Sequence, residues 1–115
     1  MRATKRKVQK FVDERSPDIQ WAVEQQKGSD RFIVEHHRAM RSDCGPYSDG
    51  LALTLAHDTW VFLKRHKPEW QVGVLVESDT GRWHGIVETG RTSDGAQYRV
   101  IEDVDSYSEA WLQAR

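Results

Sequence analysis

The chain is poor in the residues that staple small folds. Its 115 residues hold one cysteine, two methionines and three prolines. A single cysteine rules out an internal disulfide, and a lone thiol fits a reducing compartment, so a cytoplasmic location is expected. No apolar run nears the roughly 20 residues that a membrane-spanning helix needs. The basic start (Arg2, Lys5, Arg6, Lys7, Lys10) is followed by no apolar stretch of the kind a secretory leader carries. An excess of one charge is missing too. Seventeen Lys and Arg face 18 Asp and Glu, a formal net charge of -1, and bulk electrostatics therefore speak against nucleic acid as a partner. Neither a repeat nor a low-complexity tract is present.

What is present is enough for one small core. Hydrophobic residues make up 37% of the chain and charged residues 30%, with five Trp among the former. The length fits one domain over 1–115. Three parts are expected within it: a helical 1–41, a helix plus antiparallel sheet over 42–105, and a tail or short helix over 106–115.

In the first part, Val8, Phe11, Val12 and Arg15 recur at helical spacing and predict a helix over Thr4–Arg15. Ser16-Pro17-Asp18 has the form of a helix start, with a capping hydroxyl, proline at the first position and an acid in the first turn. It predicts a second helix, closed by Gly28. A third helix is expected from about Asp30 to Arg41, with a strand over Arg31–Glu35 as the alternative because Phe32-Ile33-Val34 favours extended backbone. On the helical reading His37 is half buried and His36 lies at the surface. Adjacent helical residues point about 100° apart, and no Cys or acid stands at a zinc-like spacing from them, so neither a metal nor any cofactor is expected.

The central stretch is Ser42-Asp43-Cys44-Gly45-Pro46-Tyr47-Ser48-Asp49-Gly50-Leu51. Leu51, Leu55, Phe62 and Leu63 continue it as an apolar helical stripe. The helix is expected to start between Pro46 and Leu51 and to stop at Pro68, behind the cations Arg65, His66 and Lys67. Beyond it the period changes. Trp70–Glu77, Arg82–Thr89 and Gln97–Asp103 read as strands, joined closely enough to form a three-stranded antiparallel meander. Ser106 or Ser108 could cap a last short helix. The fold class is therefore α+β.

One constellation carries chemistry. A thiol near a helix N-terminus becomes a nucleophile when the N–H groups and dipole lower its pKa. It then needs a base within hydrogen-bond reach and an acid to orient that base. Cys44, His84 and Asp103 occur in that order, with Glu102 and Asp105 as other candidates for the acid. Order and element types resemble the transglutaminase-like and papain-like cysteine hydrolases across roughly Ser42–Asp105. Cys44-Gly45-Pro46-Tyr47-Ser48 followed by Leu51 and Leu55 is similar to that family's cysteine motif. The resemblance implies a helix with Cys44 at its start, His84 and Asp103 on neighbouring strands, and amide or thioester hydrolysis or acyl transfer on a protein or peptide substrate. Two departures stand beside it: Gly85-Ile86 follow the histidine, and Asp103-Val104-Asp105 stands where Asp-Pro-Thr is usual. The competing expectation is a protein-binding module without catalysis, of the type a phage or mobile element uses against a host protein.

Overall fold

The computed structural model describes residues 2–115. It is an α+β domain with three helices and a five-stranded mixed sheet. The elements run α1 (Lys5–Arg15), β1 (Ala22–Gln25), β2 (Arg31–His36), α2 (Asp49–His66), β3 (Gln71–Glu77), β4 (Trp83–Thr92), β5 (Gly95–Val104) and α3 (Tyr107–Gln113). Strand order across the sheet follows chain order, from β1 at one edge to β5 at the other. β1 and β2 are antiparallel, β2 and β3 parallel through the α2 crossover, and β4 antiparallel to both β3 and β5. No helix among the described residues is long and apolar enough to cross a membrane.

The N-terminal half departs from expectation. The two helices expected over Ser16–Gly28 and Asp30–Arg41 are the hairpin β1–β2, so the sheet has five strands and not three. The cause is burial on both faces. Phe32, Ile33 and Val34 are all buried, which an interior strand of a sheet covered on two sides requires and an amphipathic helix does not. Gly28 does not close a helix; it takes φ 78° in the β1–β2 turn, a conformation that glycine adopts without strain. Ser16 caps the C-terminus of α1, and Pro17 lies in the turn that follows.

Side-chain alternation divides the strands between two layers. Phe32, Val34, Val72, Val74, Val76 and Ile86 pack against Val8 and Val12 of α1 and against Ala52, Ala56, Trp60 and Leu63 of α2. Ile33, Leu75, Val87 and Ile101 pack on the other face against Ala110 and Ala114. Full burial of one such aliphatic side chain contributes roughly 1.5–3 kcal/mol. The last helix is tied down by a buried carboxylate as well. Glu35 Oε2 accepts from Tyr107 Oη and Trp111 Nε1, both at 2.7 Å, and Oε1 lies 2.9 Å from His37 Nε2. Burial first, and then Glu35 itself, push the Tyr107 phenol well above its ordinary range.

The two sheet edges differ. β1 is short, and the Gln9 carboxamide of α1 meets it at one point, accepting from Val23 N–H and donating to the Trp21 carbonyl just before the strand. β5 is ten residues long and has no strand beyond it among the described residues.

Candidate functional site

Helix α2 starts where Ser48 caps it, its side chain accepting from Leu51 N–H at 3.3 Å. Asp49 is thus the first helical residue, with its carboxylate at the positive end of the helix dipole. The loop after β3 brings Ser78 and Thr80 to it. Their hydroxyls donate to Asp49 Oδ1 at 2.5 and 2.8 Å. His84, on β4, approaches the same oxygen with Nε2 at 3.0 Å. Hydrogen bonds from Ser78, then Thr80, then His84 lower the Asp49 pKa from 3.8 to about 2.

Asp103 reaches this group through a bulge. Trp83 pairs with Val104 and Gly85 with Ile101, so His84 alone on β4 stands opposite two residues, Glu102 and Asp103, on β5. Asp103 takes φ 55°, the one positive φ of a non-glycine among the described residues. That turn aims its backbone N–H at His84 Nδ1, 3.3 Å away, and leaves its carboxylate Oδ1 3.9 Å from Nε2.

The tautomer of His84 follows from these contacts. Nδ1 accepts a hydrogen bond from a backbone N–H and so carries a lone pair. The ring proton is then on Nε2, donated to the Asp49 carboxylate. Asp49, His84 and Asp103 offer ligand atoms within 4.8 Å of one another, close enough for a cation. His84 does not fit that use, because metal binding through Nε2 would move the proton to Nδ1, against the Asp103 N–H.

Of the expected triad, the fold brings His84 and Asp103 together. Cys44 is elsewhere: it is exposed on the β2–α2 loop, four residues before the helix cap at Ser48. Its backbone N–H donates to Ser42 Oγ at 3.3 Å, and among the described residues no hydrogen bond joins its thiol to His84. The orienting carboxylate that the sequence did not single out is Asp49. A capping serine followed by an acid, together with the Ser78-x-Thr80 pair after a strand, is the signal that could have found it.

Two other histidines are placed by the strand that replaces the expected helix. His36 is buried and not at the surface, because alternation turns it toward α1 and α2. His37 is half buried, packed edge-on against Trp83 with ring centroids 4.8 Å apart. Lys64 is partly buried against Glu88 at 2.9 Å, and that burial lowers its pKa despite the partner.

Compared with protein-family models, with curated proteins and with solved structures, the chain finds no match in any of the three.

Proposed function

We propose that this protein acts by binding an extended segment of another protein along β5, without thiol catalysis. The observation that carries this reading is the asymmetry of the sheet. One edge is a four-residue strand met in part by Gln9, and the other is a ten-residue strand with no strand beyond it among the described residues. Beside that edge lies an apolar groove between sheet and helix, lined by Leu53, Thr54, His57, Ile86 and Val100. Tyr98 and Val100, two residues apart on one face of β5, are about half exposed there, at 50% and 45%. An added strand would satisfy the backbone, and apolar residues at alternate positions would fill the groove. Arg99, Glu102 and Asp103 interrupt the edge with charge, and the bulge at Asp103 bends it, features that discourage pairing between identical copies.

The test is selection from a library of displayed linear peptides against the whole protein. Enriched peptides should carry apolar residues at every second position, slow amide exchange in Gln97–Ile101, and bind at least tenfold more weakly to Val100→Asp. Peptides that bind equally well to Val100→Asp would end this reading.

The thiol reading has one observation in its favour, the approach of the Asp103 carboxylate to His84. It requires the β2–α2 loop to carry Cys44 to the ring and Nε2 to give up its proton. A hydrolase or acyltransferase activity lost in both Cys44→Ala and His84→Ala would favour it over binding alone; one retained in Cys44→Ala would remove it.

A further inference from the structure

The β2–α2–β3 crossover brings the carboxyl ends of two parallel strands to one end of the sheet, the usual place for ligands in folds with parallel strands. A cleft of about 430 Å³ opens there, sharing no lining residue with the groove at β5, and its lining includes His36, Arg38, Arg41, Ser42, Tyr47 and Glu77. That volume lies in the range of small-molecule sites.

His36 is the unusual member. It ends β2 and is only 2% exposed. Nδ1 lies 2.7 Å from the Gln20 carbonyl oxygen, which can only accept, so the ring proton is on Nδ1. Trp21 and Tyr47 hold the ring edge-on from two sides, each at 5.8 Å between centroids. Nε2 therefore keeps a lone pair, has no protein partner among the described residues, and belongs to a residue that lines the cleft. That nitrogen is an acceptor open to the cleft, and a ligand hydroxyl would supply its donor.

The rim carries cations whose donors are underused. Arg38 Nε lies 3.7 Å from Glu77 Oε2, and its Nη1 reaches the Asp79 carbonyl at 3.3 Å. Arg41 Nη1 lies 3.7 Å from Asp43, and Nη2 lies 3.5 Å from the Pro17 carbonyl. These are long contacts for groups with five N–H donors each. Glu77 also accepts from the Arg38 backbone N–H at 3.1 Å. On the wall, Ser42 Oγ and Tyr47 Oη lie 2.6 Å apart; one donates to the other, and the remaining hydroxyl proton is free for a ligand.

We infer that this cleft binds a small hydroxylated organic anion, whose hydroxyl donates to His36 Nε2 and whose charged group is held by Arg38 and Arg41. A sugar phosphate and a hydroxycarboxylate share that chemistry.

The experiment is calorimetric titration of the whole protein with ribose 5-phosphate, with citrate and with inorganic phosphate, alongside amide NMR spectra. At least one of the two hydroxylated anions binds saturably, at least tenfold more tightly than inorganic phosphate, and moves the amides of His36–Tyr47. Which of the two does so identifies the source of the charge. Arg41→Ala, an exposed change that leaves the core intact, weakens that binding about tenfold, and His36→Gln, if it folds, does the same. No binding by either anion, equal binding by inorganic phosphate, shifts confined to the basic face of α1, or binding unchanged in Arg41→Ala would each overturn the assignment.

Discussion

The backbone N–H of Asp103 donates to His84 Nδ1 across 3.3 Å, while Nε2 of the same ring sits 3.0 Å from Asp49 Oδ1. One buried imidazole thereby joins the bulge of β5 to the first turn of α2. His84→Ala should leave the Asp103 N–H without its acceptor and the Asp49 carboxylate short of one donor, at a cost of about 1–3 kcal/mol. Cys44→Ala, at an exposed loop position, should stay within about 0.5 kcal/mol of the parent. Urea midpoints of the two variants check this pair of values; equal losses would contradict it.

Acid should act through Asp49. Its folded pKa is depressed to about 2 from 3.8, so its contribution to stability is fully present above the ordinary value. The contribution is lost as pH falls from about 4 toward 2. The stability difference between the parent and Asp49→Asn should be flat from neutral pH to about 5 and shrink below about 4. Urea unfolding across that range measures it, and a difference that grows on acidification would reverse the sign.

Glu35 anchors α3 to β2 with three donors on a buried carboxylate. Glu35→Leu removes the acceptor and leaves Tyr107, Trp111 and His37 without it, an effect on the order of 3–5 kcal/mol. Amide exchange in α3 should accelerate more than exchange in α2. Uniform acceleration throughout would show that the network does not hold α3 specifically.

Gly85→Ala should be among the most damaging small changes. A Cβ there would collide with the Val74 carbonyl oxygen and lie 2.6 Å from Leu75 Cδ2, inside the antiparallel β3–β4 pair. Loss of cooperative thermal unfolding is expected, whereas Gly90→Ala, with open space around it, should unfold cooperatively as the parent does.

The C-terminal half was legible because its signals were local. Pro68 and the cations before it marked the end of α2, β-branched residues marked β3, and Ser106 capped α3. In the N-terminal half α1 was legible, and the strand at Arg31–Glu35 was read only as the alternative to a helix; the stretch after α1 was not legible, because Ser16-Pro17-Asp18 is a convincing helix start that tertiary pairing overrides. Phe32-Ile33-Val34 finds its strand partners 40 residues away, at Val72-Gly73-Val74. The approach of His84 and Asp103 was legible as two residues on neighbouring strands. The bulge that brings them together was not, because the two residues that form it on β5, Glu102 and Asp103, are neither glycine nor proline. Asp49 was overlooked because a capping acid reads first as a helix signal.

Nitrogen-15 NMR of the His84 ring bears most directly on whether binding or thiol chemistry is the better account. With both nitrogens engaged as described, Nε2 should give a protonated, pyrrole-type signal and Nδ1 an unprotonated, pyridine-type signal at neutral pH. A ring protonated on Nδ1, with the lone pair on Nε2, would contradict the account and return a base to Cys44.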